Sequence, residues 1–241
     1  MKTSSALLLS VLLGACTSPS SLIEPVELAP EASVKPGIND SFLAEDMQAE
    51  DFVERFEGES REVFVHREEI VAALPIELGD VVADVGSGTG AFLSAFANAV
   101  GPVYGGGRVL ALDIAPSFVE HLAARAVAEE LPQVEARLCG ERSVDLPRQS
   151  IDLAFICDVY HHFEYPRSTM TSIHHALKPG GQVVIVDFER IPGVSREWTL
   201  GHVRAGKEEV IAEMESFDFK FLEELTIPGL EENWVGRFKK H

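Results

Sequence analysis

Asp84-Val85-Gly86-Ser87-Gly88-Thr89-Gly90 sets a carboxylate and three glycines at alternate positions, between the apolar run Val81-Val82-Ala83 and the helical pattern from Ala91 to Ala97. A strand, a tight turn and a fresh helix N-terminus in that order form a nucleotide-type binding turn. Glycine permits the positive φ angles of such a turn and lets a ligand lie against the backbone. The first helical N–H groups point unpaired into the same space. Gly86-x-Gly88-x-x-Ala91 also fits the dinucleotide pattern G-x-G-x-x-[GA], whose helix receives a pyrophosphate. Asp84 argues against that ligand, because a carboxylate two residues before the first glycine suits a cationic amino group better than a pyrophosphate.

Further acids follow at regular intervals. Arg108-Val-Leu-Ala-Leu-Asp113 is a second strand ending in a carboxylate, suited to both hydroxyls of a ribose. Ile151-Asp-Leu-Ala-Phe-Ile-Cys-Asp158 is another, leading into Val159-Tyr160-His161-His162, and Leu177-Lys-Pro-Gly-Gly-Gln182 opens a strand that runs to Asp187. NAD enzymes share the acid at Asp113, so it supports a ribose without deciding the ligand. Asp84 and the later strand-end segments favour S-adenosylmethionine (SAM), and D-x-G-x-G-x-G, the downstream acid and L-K-P-G-G form a specific combination. From about Arg61 to Lys240 the chain resembles the class I SAM-dependent methyltransferases, in particular the small-molecule type with a D-x-x-H-H element after the fourth strand.

The resemblance implies roles. Asp84, Gly86, Gly88 and Gly90 would hold the methionine and ribose portion, and Asp113 would take the ribose hydroxyls. Glu141, in the loop Cys139-Gly140-Glu141-Arg142-Ser143-Val144-Asp145, would stand for the acid near the adenine amino group, unless Arg142 occupies that place. Asp158 would face the cofactor, and His161 or His162 could serve as a base for an acceptor that must lose a proton. The alternative for either histidine is a hydrogen bond to a neighbouring loop. No metal site is expected, because adjacent loop histidines tend to point apart and suitably spaced partners are lacking. Phe64-Val65-His66-Arg67 and the segment Trp198-Thr-Leu-Gly-His202-Val-Arg204 are expected to bound the acceptor pocket, with Arg204 touching the acceptor; simple packing by Phe64 and Trp198 is the plainer reading.

The elements that must position these groups alternate. Helices are expected over Phe42–Phe56 and Arg61–Leu74, with apolar residues at three- and four-residue intervals. Strands follow at Val81–Val85, Val109–Asp113, Glu135–Leu138, Leu153–Asp158 and Gln182–Phe188, separated by helical stretches, which implies an α/β fold with a parallel sheet covered on both faces. Phe217–Ile227 and Trp234–Lys239 then read as an antiparallel hairpin. The resemblance supplies the rest: a Rossmann-like seven-stranded methyltransferase sheet in the order 3-2-1-4-5-7-6.

The N-terminus carries a different signal. Met1-Lys2 precedes an apolar run from Ala6 to Leu13, far shorter than the roughly 20 residues a spanning helix needs, so it reads as a signal peptide. Leu13-Gly14-Ala15-Cys16 resembles a bacterial lipobox, which implies a signal over 1–15, lipidation at Cys16 and an envelope location, outer-membrane or periplasmic in a Gram-negative host. If the signal is not used, the protein stays in the cytoplasm. Residues 16–40, rich in Ser, Pro and Glu, are expected to form a flexible tether, leaving one domain over 41–241.

Composition limits the partners. Lys+Arg 20 against Asp+Glu 39 leaves a net charge of −19, which disfavours nucleic acid. Cys139 and Cys157 remain beside Cys16. With two strands between them in the expected order they are not expected to form a disulfide, which needs Cα atoms within about 7 Å. The functional expectation is therefore methyl transfer from SAM to a small-molecule acceptor by a lipid-anchored enzyme. The alternative is a SAM- or nucleoside-binding envelope lipoprotein without turnover, motivated by the cytosolic origin of SAM.

Overall fold

A computed structural model describes residues 26–58 and 61–241. The expected signal segment and the lipidation site Cys16 lie outside the described residues. Seven strands run through the domain: β1 (Val81–Val85), β2 (Arg108–Asp113), β3 (Val134–Leu138), β4 (Ile151–Cys157), β5 (Leu177–Phe188), β6 (Phe219–Glu224) and β7 (Asn233–Lys240). Among the described residues eight α-helices accompany them: α1 (Glu50–Phe56), α2 (Glu62–Val65), α3 (Arg67–Ala72), α4 (Leu93–Val100), α5 (Pro116–Ala128), α6 (Pro166–Ala176), α7 (Glu197–His202) and α8 (Lys207–Ser216).

The sheet order is β3-β2-β1-β4-β5-β7-β6. β1 pairs in parallel with β2 on one side and β4 on the other, while β7 runs antiparallel to both β5 and β6. The central strands are apolar on both faces, as a sheet covered by helices requires. Ala83, Val85, Leu110 and Ile156 pack on one side with Met170 and Met214; Val82, Ala111 and Phe155 pack on the other with Leu93 and Phe96. The chain leaves β1 in one direction and β4 in the other, so a crevice opens beyond their carboxyl ends, where open α/β sheets bind ligands.

The expected N-terminal helices are shorter and more broken than their periodicity suggests. A continuous helix over Phe42–Phe56 would separate its ends by about 21 Å. Instead the ring centroids of Phe42 and Phe56 stand 6.4 Å apart, and both pack on Phe118 of α5. Packing Phe42, Phe52 and Phe56 against the buried Phe118 outweighs helix continuity, so the chain turns through 42–49 and only α1 is helical. The helix expected over Arg61–Leu74 divides into α2 and α3 at His66 (φ −99°, ψ 19°).

The described part of the expected tether, 26–40, departs from a free linker. Glu31 accepts N–H bonds from Arg167 (3.0 Å) and Ser168 (2.8 Å) at the start of α6. Glu164 accepts from Gly37 N (2.9 Å) and Ser33 Oγ (2.6 Å), and its carbonyl accepts from Val34 N (2.9 Å). Ser, Pro and Glu content says how a segment behaves alone, whereas here two carboxylates and two unsatisfied helix N–H groups supply partners.

The hairpin is tied to α2. Glu62 accepts three backbone N–H bonds, from Glu231 (2.8 Å), Glu232 (2.8 Å) and Asn233 (2.7 Å). Gly229 (φ +95°) presses on the α2–α3 corner so closely that a Cβ there would stand 2.2 Å from His66 Nε2. That closure ends β6 at Glu224, short of the expected Ile227. Removing the Glu62 carboxylate as Glu62→Ala should destabilise the fold by about 1–2 kcal/mol and lower Tm by roughly 2–8 °C in a thermal melt. An unchanged Tm would show that the hairpin holds its place without this contact.

Candidate functional site

β1 ends at Asp84, and the chain enters the glycine turn. Ser87 Oγ donates to Asp84 Oδ2 (2.7 Å), while Gly86 N and Ser87 N donate to Leu112 O of β2 (2.8 and 2.9 Å), lashing the turn to the neighbouring strand. Asp113 closes the crevice from the end of β2. Its Oδ2 accepts Gly88 N (2.9 Å) and its Oδ1 accepts Ala115 N (2.9 Å). Each oxygen keeps further acceptor capacity, and Asp113 lines the same cavity as Asp84, Gly86 and Gly88. Burial pushes the Asp84 carboxyl up to about 7 and the Asp113 carboxyl up to about 6.

The three glycines are not equivalent. Gly88 (φ +54°) lines the cavity, and a Cβ there would project toward Phe56, 3.4 Å from Cδ2, between two cavity walls. Gly86 (φ +75°) also lines the cavity but abuts Val159, whose Cγ1 would be 2.6 Å from a Cβ. Gly90 (φ +90°) departs from the expected ligand contact. Its missing Cβ would meet Leu93 Cδ1 at 2.8 Å and Leu122 Cδ2 at 2.9 Å, so it faces the core beneath the turn.

In the loop after β3, Glu141 lines the cavity. Arg142 does not compete for that place. Its guanidinium donates to Ala29 O (2.9 Å) and Ser168 Oγ (3.0 Å) and stacks over Tyr165. Asp158 (φ +54°) also lines the cavity, but its carboxylate is ion-paired with Arg61 and accepts Asn233 Nδ2 (2.6 Å). Burial pushes its carboxyl up to about 6 against the pull of Arg61. Asp158 thus joins the start of α2 to β7, a structural duty the sequence did not show.

The histidines correct a second expectation. His161 and His162 do not point apart: their ring centroids lie 4.4 Å apart, and His202 of α7 stands 5.3 and 5.1 Å from them. His161 is buried, with Nδ1 2.7 Å from Asp187 Oδ1 and its backbone N donating to Asp187 Oδ2 (3.1 Å). His162 Nδ1 is 3.3 Å from Asn39 Oδ1, and its Nε2 is 3.3 Å from His202 Nε2. One ring nitrogen from each of the three lies within 4.8 Å of the other two, which is close enough to share an ion. Burial, reinforced by neighbouring charge, lowers His162 to about 2 and His202 to about 4, so both rings are neutral at pH 7.

Phe64, Trp198 and His202 line the cavity, as expected of the segments that bound it. Trp198 stacks on His202 at 4.7 Å and is 45% exposed. Arg204 turns away from that wall: it forms a bidentate pair with Glu213 (2.8 and 2.9 Å) and covers Tyr160. Asp187 and Asn39 are the site residues that sequence reasoning passed over. Asp187 ends its strand as Asp84 and Asp113 end theirs, a signal that was available; Asn39 gave none. Cys139 and Cys157 are free thiols on the cavity wall, raised by burial, Cys139 to about 12.

These residues fit SAM. The Thr89 hydroxyl is buried in the cavity wall with no hydrogen-bond partner among the described residues. Asp113 presents a carboxylate to a ribose, and the gap beside Gly88 is one that a Cβ would narrow.

Comparison with known proteins agrees. Residues 83–185 match the methyltransferase domain family, whose cofactor is SAM. An uncharacterized 37.1 kDa protein in a Streptomyces fradiae transposon is 34% identical over 113 residues, 47% of this chain and 31% of that protein. A ubiquinone/menaquinone biosynthesis C-methyltransferase of Hydrogenovibrio crunogenus is 30% identical over 117 residues, 48% of this chain and 45% of that protein. The chain thus spans less than half the length of these curated relatives. The crystal structure of a SAM-dependent methyltransferase from Aquifex aeolicus superposes with a TM-score of 0.71 at 19% identity, over 81% of this chain and all of that one, which establishes the fold.

Proposed function

We propose that this chain transfers the methyl group of SAM to a small organic acceptor, at a membrane surface where lipid on Cys16 holds it. The observation that carries the reading is Asp113, anchored by two backbone N–H groups and lining a cavity that also carries the aromatic side chains Phe42, Phe56, Phe188 and Trp198. The carboxylate suits a ribose, and the aromatic lining suits a flat or apolar acceptor. Aromatic acceptors of the quinone-precursor type are the first to screen, in keeping with the named activity of the Hydrogenovibrio relative.

Transfer forms one bond from the acceptor lone pair to the methyl carbon and breaks the bond from that carbon to sulfur, which keeps the electron pair. Most of the rate then comes from alignment of the two. An acceptor that must lose a proton would meet His161, which Asp187 holds in the tautomer whose free lone pair is at Nε2. His162, lowered to about 2, is a poor proton acceptor and serves to shape the wall.

Calorimetry with SAM and S-adenosylhomocysteine, followed by methyl transfer from labelled SAM to an aromatic panel, tests the reading. Micromolar binding with transfer supports it, and a folded protein that binds neither nucleoside would sink it. Binding without transfer to any acceptor would favour the non-catalytic lipoprotein. Trp198→Ala should raise the acceptor KM on the order of 10-fold, a loss of about 1.4 kcal/mol, while the affinity for S-adenosylhomocysteine stays within twofold. Mass spectrometry of the native N-terminus tests the anchor: an intact Met1 would remove it. Among the described residues no helix is long and apolar enough to cross a membrane.

A further inference from the structure

Three imidazoles meet at one point of the cavity, and each is held there by a different part of the chain. His161 and His162 follow β4, and His202 ends α7. Asp187 fixes His161 from behind through Nδ1, which leaves the lone pair of Nε2 open. Asn39 does the same for His162. Its Nδ2 donates to His162 O (3.1 Å), so the amide orientation is set and Oδ1 is the atom that faces Nδ1. An amide oxygen only accepts, so His162 carries its proton on Nδ1 and presents a lone pair at Nε2. Trp198 stacks flat on His202 and limits its rotation.

The His162–His202 spacing matches chelation, and His161 would move inward by up to about 1.5 Å to join them. Ring nitrogens bound to a tetrahedral ion at 2.0–2.1 Å stand about 3.3 Å from one another. The Nε2 atoms of His162 and His202 are already 3.3 Å apart, and the ligand atom of His161 lies within 4.8 Å of both. A shared hydrogen bond between His162 and His202 would explain that pair alone. It leaves unexplained the third ring, and the carboxylate and amide that orient two of the three from outside, as second-layer partners do for metal-bound histidines.

We propose that His161, His162 and His202 form a three-histidine site for one divalent transition ion of the zinc or cobalt class, with a fourth position open to the cavity. The donor set selects the ion. Three neutral nitrogens suit Zn2+, Co2+ or Ni2+, whereas Mg2+ and Ca2+ require oxygen ligands. The Asp187 carboxylate behind His161 offsets part of the ion's charge; Lys35, which donates to the His202 carbonyl, and Arg55, on the cavity wall, oppose it. The open position faces the same cavity as Trp198, so a hydroxyl or thiol entering it would bind the ion directly and lose its proton more readily. An ion here would occupy the His161 lone pair that otherwise takes the acceptor's proton, so with the ion bound that nitrogen would not act as a base; the ion site itself does not depend on methyl transfer.

The test is a titration of the tag-free full-length chain, stripped with a chelator, with Co2+ alone. One equivalent should bring up the visible absorption of a four- or five-coordinate nitrogen site, and Zn2+ should displace it. His202→Ala and His162→Ala should each abolish that absorption and weaken binding on the order of 100-fold or more. Asp187→Asn should weaken it by about 10–100-fold. S-adenosylhomocysteine calorimetry and a thermal melt on the same samples report that the fold and cofactor crevice are intact. A folded wild-type chain with no visible absorption, or affinity unchanged in both histidine variants, would overturn the proposal. Loss of nucleoside binding with the cobalt spectrum intact would count against the cofactor reading and leave the ion site standing.

Discussion

Asp113→Ala is expected to reduce the affinity for S-adenosylhomocysteine on the order of 100–1000-fold in calorimetry. The wild-type carboxylate would accept from both ribose hydroxyls while Gly88 N and Ala115 N hold it in place. Hydrogen bonds to a charged group contribute about 1.5–3 kcal/mol each, so the loss of two is roughly 3–6 kcal/mol, part of which water entering the site restores. The substitution also leaves the Gly88 and Ala115 N–H groups without their acceptor, which loosens the turn itself. Asp113→Asn separates the contributions. An amide can serve one N–H and one hydroxyl through its oxygen, but its NH2 must face either a backbone donor or solvent. Its affinity should fall between those of wild type and alanine. An alanine variant that binds within threefold of wild type would place the ribose elsewhere.

The same residue makes the affinity depend on pH. Burial raises Asp113 to about 6 in the ligand-free chain. The ionised form is the better acceptor, so affinity should rise with pH through about 6 and flatten above it. Stability has the opposite sign. A carboxyl whose folded pKa lies above its unfolded value of about 3.9 contributes stability that is complete below that value and is lost as pH rises through the folded pKa. Asp84, at about 7, and Asp158, at about 6, act in the same sense. Ligand-free protein should therefore lose melting temperature from about pH 4 to pH 7 relative to a variant lacking these acids, and bound SAM should recover more of it at the upper end.

Two glycines of one turn should fail in different ways. Gly90→Ala is expected to destabilise the fold by about 2–5 kcal/mol: about 1–2 for a side chain at φ +90° and about 1–3 for crowding Leu93 and Leu122 in a packed core. At roughly 2–4 °C per kcal/mol for a domain of this size, Tm should fall by about 4–20 °C. The protein that remains folded should still bind nucleoside, because the displaced atoms lie beneath the turn. Gly88→Ala should lose only about 1–2 kcal/mol, since φ +54° lies in the left-handed region and the nearest atom, on Phe56, is 3.4 Å away. Its affinity for S-adenosylhomocysteine should nevertheless fall on the order of 10-fold or more, because the new methyl group stands in the cavity. Thermal melts and calorimetry on both variants check the pair. If Gly90→Ala lost binding with an unchanged Tm, the turn would be oriented differently from this structure.

The glycine turn and the strand-end acids were legible in the amino-acid sequence because they are local or periodic. Asp84 to Gly90 is one continuous turn, Asp113 ends the next strand, and both sit where an alternating β/α chain must place its strand ends. Sheet order followed from that alternation together with the family resemblance, and the antiparallel hairpin followed from two β-rich runs at the chain's end. The roles inside the motif were less visible. Gly86, Gly88 and Gly90 look alike in sequence, yet their missing side chains face Val159, Phe56 and Leu93, three different surroundings. Asp158 reads as a cofactor acid until Arg61 and Asn233 are seen to engage it.

The histidine wall of the cavity was decided by tertiary structure alone. Asn39 and His162 are 123 positions apart, His162 and His202 are 40 apart, and His161 and Asp187 are 26 apart. No local pattern links these residues. They meet because the strand order brings the end of β5 beside the end of β4, and because the segment before α1 folds back to pack Phe42 on Phe118 and His162. Adjacency along the chain suggested that the two histidines diverge; they converge because a carboxylate holds one and an amide the other, from elements that only the folded sheet brings together.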